Sequence, residues 1–200
     1  SICDITNRPG QILILGSASP DLLRQSSESL AGRIVYLNMT PFIISEIGYN
    51  NFRNHWLNGG FPDSYLAKDS DISYVWRENF IHTYLERDIP ALGFKINTQL
   101  IHRLWMMIAH ITGQVLNISK LAQSLGVTHP TIMSYLDILE KTFMIRIVRP
   151  LFSNLKKRLI KSPKLYFRDT GILHALLNIK SFNSLLGHPV YGSSWESYAL

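Results

Sequence analysis

Residues 117–142, NISKLAQSLGVTHPTIMSYLDILEKT, run directly into FMIRIVRP at 143–150, and the reading of this stretch decides the fold. Asn117 or Ser119 supplies a side-chain oxygen for the free N–H groups at a helix start, and Gly126 is the residue type that closes a helix in the left-handed conformation. Thr128 offers a second cap. Pro130 is tolerated in the first turn that follows, where the N–H it lacks has no intrahelical partner. Ile132, Leu136 and Leu139 recur at i, i+4 and i+7 and predict one buried face. FMIRIV alternates at period two, as a half-buried strand does, and KLYF at 164–167 is its expected antiparallel partner. Upstream, TQLIHRLWMMIAHIT (98–112) predicts a further helix with Leu100, Leu104, Met107, Ile108 and Ile111 on its apolar side. Three helices and a two-stranded hairpin make a winged helix-turn-helix over residues 98–168.

The charge is concentrated on that unit. The chain of 200 residues has a formal net charge of +6. Residues 149–168 contain Arg149, Lys156, Lys157, Arg158, Lys161, Lys164 and Arg168 and no acid, so this one stretch more than accounts for the excess. A local cluster attracts phosphate better than a diffuse surplus does. Thr128, His129, Thr131, Ser134 and Tyr135 fall where a winged helix faces the major groove, with Lys156, Lys157, Arg158 and Lys161 on the wing. No arginine or asparagine stands at the base-reading positions, so backbone contact is expected rather than sequence readout. The alternative is a protein-facing module with a solvated loop.

Working outward, GQILILG (10–16) reads as a strand buried on both faces, LLRQSSESLAG (22–32) as a helix started by Ser19 and Asp21, and RIVYLNM (33–39) as a second buried strand. Strand, helix and strand in about 30 residues form a parallel unit with a right-handed crossover. PFIISEIG (41–48) predicts a helix with proline at its start, and LNGGFPDSYL (57–66) a turn. In ISYVWRENFIHTYLERDIP (72–90), Val75, Phe80, Ile81, Tyr84 and Leu85 space as an amphipathic helix that stops before Pro90. A last helix is expected from Asp169 to about Leu177, then a loop, then SSWESYAL (193–200), which begins like a helix and is cut after two turns.

Taken together, RPGQILILGSASPDLLRQSSESLAGRIVYL, GGFPDSYL, WRENFIHTYLERDIP, KSPKLYFRDTGILHALL and LLGHPVYGSSWESY resemble, in order, a group of bacterial and archaeal AAA+-like P-loop ATPases. These carry a winged helix and a C-terminal domain of uncharacterised function related to restriction-endonuclease-like folds. The resemblance implies a fold that is mainly α with small β elements. Residues 1–41 would be the end of the nucleotide-binding domain, 42–97 a helical connector, 98–168 the winged helix, and 169–200 the start of the C-terminal domain. It also implies an internal fragment of an ATPase that uses ATP and magnesium and acts on DNA or on protein partners, including further copies of itself; the lack of a membrane-spanning run or signal segment predicts a cytoplasmic location. Ser17 stands at the position that senses the γ-phosphate, and Arg33 at that of an arginine that neutralises charge in phosphoryl transfer. Glu196 stands at the first acid of a restriction-endonuclease-like metal site. The phosphate-binding loop, G-x-x-x-x-G-K-[ST], occurs nowhere in the 200 residues, so no nucleotide is expected on this fragment alone and it is expected to be inactive. The rival expectation is a non-enzymatic winged-helix DNA-binding regulator.

Other chemistry is thin. Cys3 is the one cysteine, which excludes an internal disulfide or a multi-cysteine zinc site. No apolar run approaches the roughly 20 residues that cross a bilayer, so no membrane partner is expected. Glu78, His82 and Glu86 share a helix face but are expected to form an i,i+4 pair rather than a metal site. Trp56, Trp76, Trp105 and Trp195 are expected to pack. Neither H-E-x-x-H nor G-x-S-x-G occurs.

Overall fold

The computed structural model describes residues 13, 35, 37–150 and 162–200. The strand-helix-strand unit expected over 1–41 lies almost wholly outside them. The described residues are mainly helical with one two-stranded antiparallel sheet, as the sequence predicts.

The first helices are α1 (Ile44–Ile47), α2 (Phe52–Asn58), α3 (Pro62–Tyr65), α4 (Ser70–Thr83) and α5 (Ile89–Ala91). Pro41 does not start α1, whose N-cap is Ile43, with the Glu46 carboxylate accepting the Ile43 N–H at 2.9 Å. The chain stays outside the helix at 42 because that residue is used elsewhere. Phe42 N–H donates to Gly60 O at 2.8 Å, and His55 Nε2 lies 2.7 Å from Phe42 O. Along α4 the apolar spacing is only partly right. Ile81 is buried, as are Tyr84 and Leu85 beyond its end, but Val75 is 53% exposed and the buried positions before them are Ser73, Tyr74 and Arg77. Nor does the helical path stop before Pro90. A π turn over Tyr84–Asp88 follows α4, and Pro90 lies in the first turn of α5. The wider turn shifts the hydrogen-bond register, so the proline meets a new helix start rather than an unbroken ladder.

Next come α6 (Thr98–His110), α7 (Ile118–Leu125) and α8 (His129–Lys141), each opened by a side chain the sequence makes available. Asn97 accepts the Leu100 N–H at 3.0 Å, Asn117 that of Lys120 at 2.9 Å, and Thr128 that of Thr131 at 3.4 Å. Loss of such a cap costs about 1 kcal/mol. Gly126 ends α7 in the left-handed region. Ile132, Leu136 and Leu139 are buried, as predicted. The centre of α6 is Ile101, Leu104, Trp105, Ile108 and Ala109, while Leu100, Met107 and Ile111 are only half-buried against it.

Strand β1 (Ile145–Val148) pairs antiparallel with β2 (Lys164–Phe167), Ile145 opposite Phe167 and Val148 opposite Lys164. Alternation sends Ile145, Leu165 and Phe167 into the core. The Phe167 ring stacks parallel to Trp105 at 6.4 Å. The segment between α6 and α7 adds to the other edge of β2. Gly113 N–H donates to Leu165 O at 2.7 Å, Leu116 N–H donates to Pro163 O at 2.8 Å, and Val115 bridges Lys164 antiparallel. The chain closes with α9 (Thr170–Leu176), α10 (Phe182–Leu186) and α11 (Tyr191–Ala199). The helix expected at 169–177 is present, with Asp169 as its cap. α10 stands where a loop is predicted.

Candidate functional site

The start of α8 faces solvent as the sequence reading requires, with one exception. Thr128, His129 and Ser134 are exposed and Thr131 is half-exposed, but Tyr135 is buried and its hydroxyl accepts the Asn97 N–H at 3.1 Å. Tyr135 therefore ties α8 to the start of α6 and offers nothing to a groove. The hydroxyls of Thr128 and Thr131 lie 2.9 Å apart and bond to each other, which fixes their orientation. Beside them a cleft of about 330 Å³ runs between the first turns of α7 and α8, lined by Val115, Leu116, Asn117, Ile118, Ser119, His129, Ser162 and Pro163. Ser162 and Pro163 are where the chain returns from the basic loop into β2. The fold thus sets the end of that loop against the exposed start of α8. Lys156, Lys157, Arg158 and Lys161 themselves lie outside the described residues, as do Ser17 and Arg33.

The outer face of the hairpin is occupied from within the chain, which the sequence did not signal. Lys164 and Tyr166 alternate outward, opposite the core-facing Leu165 and Phe167, and α11 packs across them. The Tyr166 hydroxyl donates to Glu196 Oε2 at 2.7 Å, and Lys164 Nζ lies 3.7 Å from the same oxygen. The neighbouring Tyr166 hydroxyl first, and the Glu196 carboxylate after it, hold the Lys164 ammonium above its ordinary range. Burial pushes the Tyr166 phenol up, and its hydrogen bond to Glu196 pushes it further. At the foot of the hairpin, Arg168 Cζ lies 5.0 Å from the Phe143 ring centroid. Burial, then the nearby Arg146, hold its guanidinium below the usual range. Phe143 itself adopts φ 63°, the left-handed cap that lets Met144 N–H reach back to Leu139 O at 2.9 Å and turns the chain from α8 into β1.

Glu196 is thus placed on β2, on a lysine and a tyrosine. Among the described residues no group of three or more histidine, cysteine or acidic side chains could hold a metal ion. His82 and Glu86 form an exposed i,i+4 pair at 3.1 Å. No helix among the described residues is long and apolar enough to cross a membrane. The G-x-x-x-x-G-K-[ST] loop that would hold the phosphates of ATP does not occur in these 200 residues.

A second polar constellation, unmarked by any motif, is wholly buried. Arg77 donates to Ser73 O, to Leu57 O and Gly171 O at 3.1 Å each, and to Asn58 Oδ1 at 3.2 Å. Asp169 accepts the N–H groups of Ile172 at 2.9 Å and Gly60 at 2.8 Å. Burial raises its carboxyl, against the pull of those bonds and of Arg77. His174 lies 2.9 Å from Leu57 O through Nδ1 and 2.7 Å from Ser194 Oγ through Nε2, and Trp56 Nε1–H donates to the same Ser194 oxygen at 2.9 Å. With no opening to solvent these groups brace α2, α4, α9 and α11 against one another; the sequence signal was a charged residue in the middle of an otherwise packed helix face.

Residues 1–48 match the AAA domain. The chain is 42% identical over 192 residues, 96% of its length, to the uncharacterised protein Rv2008c of Mycobacterium tuberculosis, and equally to the uncharacterised protein Mb2031c of Mycobacterium bovis. It spans 44% of the length of each of these relatives. No solved structure matches it. Residues 49–183, more than half of the chain, match a single family model, and the chain therefore belongs to the family described as a domain of unknown function, DUF8612.

Proposed function

We propose that the chain is the central part of an AAA-like ATPase in which residues 98–168 form a winged helix that holds the phosphate backbone of double-stranded DNA. The observation that carries this reading is the connectivity. A helix, a short bridging segment, two helices and a hairpin follow in order, with Gly113–Leu116 paired to β2. In a winged helix the start of the second helix of the helix-turn-helix and the hairpin loop meet one duplex together. Here His129 and Ser162 line one cleft, so the basic loop returns beside the exposed start of α8.

Lys156, Lys157, Arg158 and Lys161 neutralise phosphates, while Thr128, His129, Thr131 and Ser134 contact the backbone without reading bases. ATP and magnesium are held by the full-length protein through a loop outside these residues. Ser17 senses the γ-phosphate and Arg33 neutralises charge there. The AAA match at residues 1–48 favours this reading over a non-enzymatic regulator.

The test is salt-dependent binding of a random-sequence duplex. Each neutralised phosphate adds about 0.9 to the slope of log K against log salt, so changing Lys156, Lys157 and Arg158 to alanine should flatten it by about 2.7. A triple variant that binds as the parent does refutes the proposal. So does a parent that does not bind at all. A second reading, a winged helix that packs on protein, is favoured by α11 lying on the outer face of the hairpin, and it predicts the second of these results.

A further inference from the structure

Lys164 is the first residue of β2 and follows the basic loop directly. Its ammonium lies 3.7 Å from Glu196 Oε2 and 6.0 Å from the centroid of the Tyr166 ring. Tyr166 is 5% exposed, and its hydroxyl holds the same carboxylate oxygen at 2.7 Å, so Glu196 is positioned by a packed partner and does not reach out on a free side chain. Backbone geometry supports the approach. Gly113 has φ +75°, and a Cβ there would lie 2.7 Å from the Cβ of Ser193, one turn before Glu196 on α11. Lys164 and Glu196 are each about half exposed, so the ion pair itself contributes little to stability. Among the described residues it is nevertheless the only ion pair made by a cation of the 149–168 stretch.

We propose that Glu196 is an internal counter-anion that withholds Lys164 from phosphate, so that the hairpin binds a polyanion with one cation fewer than its sequence offers. The chemistry is an exchange of partners. The Glu196 carboxylate lies at ion-pair distance from the ammonium, where it competes with a phosphodiester oxygen, and Tyr166 keeps the carboxylate in place. Release of Lys164 adds one phosphate contact, and Glu196→Gln also removes the negative charge that stands beside it. This inference rests on the nucleic-acid reading above and deepens it.

The experiment is a set of binding isotherms with a labelled random-sequence duplex between 50 and 200 mM salt, using the 200-residue chain. The variants are Glu196→Gln, Lys164→Ala and the double substitution. Glutamine keeps an acceptor for the Tyr166 hydroxyl, and thermal unfolding of each variant checks that the fold is retained. Glu196→Gln should bind more tightly, with a salt slope steeper by about 0.9, so that its advantage over the parent is about 3.5-fold larger at 50 mM than at 200 mM. Lys164→Ala should leave the parent nearly unchanged but abolish the gain of Glu196→Gln. If the parent binds through Lys156, Lys157 and Arg158 while Glu196→Gln changes neither affinity nor slope, this inference fails and the DNA reading stands. Equal weakening by Lys164→Ala in both backgrounds also overturns it, since Lys164 would then already be in use. A parent with no salt-dependent binding overturns both.

Discussion

Replacing Arg77 by methionine tests whether the buried polar groups are a brace. Methionine is similar in length and apolar, so the change removes charge and donors with little loss of volume. Three of the four acceptors keep another donor. Leu57 O retains His174 Nδ1, and the carbonyls of Ser73 and Gly171 lie in helical ladders. Asn58 Oδ1 receives no other hydrogen bond among the described residues, and a buried acceptor left alone costs about 1–3 kcal/mol. The Asp169 carboxylate loses the one guanidinium that offsets its burial. Removing one member of a buried charge pair costs about 3–5 kcal/mol. Arg77 and Asp169 are not in direct contact, so the lower part of that range applies, and the sum is about 4–6 kcal/mol.

Urea unfolding followed by tryptophan fluorescence measures it. The midpoint should fall steeply for Arg77→Met. It should fall by less than the sum of the single changes when Asp169→Asn is added, because the second substitution removes the carboxylate left without its cation. A loss below about 1 kcal/mol, or strict additivity, would refute the reasoning and reduce Arg77 to a filler of space.

His174 gives a pH signature of the same brace. Burial lowers its pKa to about 4 from an unfolded value of 6.5. The unfolded chain therefore takes up the proton first, and stability present above pH 6.5 is lost as the pH falls toward 4, by about 3 kcal/mol in all. Asp169, raised by burial, acts in the opposite direction. Since it is present in both proteins, the difference between the parent and His174→Gln isolates the histidine. That difference should shrink from pH 7 to pH 4; equal pH profiles would contradict a neutral buried imidazole. Gly171→Ala should prevent stable folding, since the added Cβ would collide with Asn58 O and lie 2.5 Å from Asn58 C, both backbone atoms that cannot move aside. Expression of a folded variant, judged by circular dichroism, would show that α2 and α9 are not in the contact described.

The part of the fold that was legible is the part where local chemistry decides the outcome. Asn117, Gly126 and Thr128 act as caps within their own turns, and the alternation around Ile145 and Leu165 is strictly local, so three helices and a hairpin could be read directly. α4 was misread for the opposite reason. Val75 continues the apolar spacing yet points to solvent, while Arg77 lies inside because carbonyls far along the chain satisfy it. Periodicity cannot register a buried cation whose partners come from two other helices. The run GQVL at 113–116 is too short to show a period, and its pairing with β2 follows from where α6 ends. The candidate site divides in the same way. The exposure of Thr128, His129, Thr131 and Ser134 follows from helical spacing, whereas the burial of Tyr135 depends on Asn97, and the cover on Lys164 depends on a helix that begins 27 residues later at Tyr191.

Strand β2 constrains how any coupling to nucleotide could operate under the proposed function. Its inner face belongs to the core of α6 and α8, its outer face to α11, and it leads through Arg168 into Asp169. That carboxylate caps α9 and holds Gly60 N–H, and Gly60 O in turn accepts the N–H of Phe42, a residue inside the stretch that matches the AAA domain. Bending the hairpin alone would break the Tyr166–Glu196 bond and strain Asp169, whose two hydrogen bonds are buried and costly to lose. Moving α2, α4, α6, α8, α9, α11 and the hairpin together breaks none of them and keeps the Arg77 bonds and the core of β2. The low-cost motion is therefore a rigid-body rotation about the segment near Phe42, and under the proposed function a change of nucleotide state would reorient the strands β1 and β2 together with the helices packed on them.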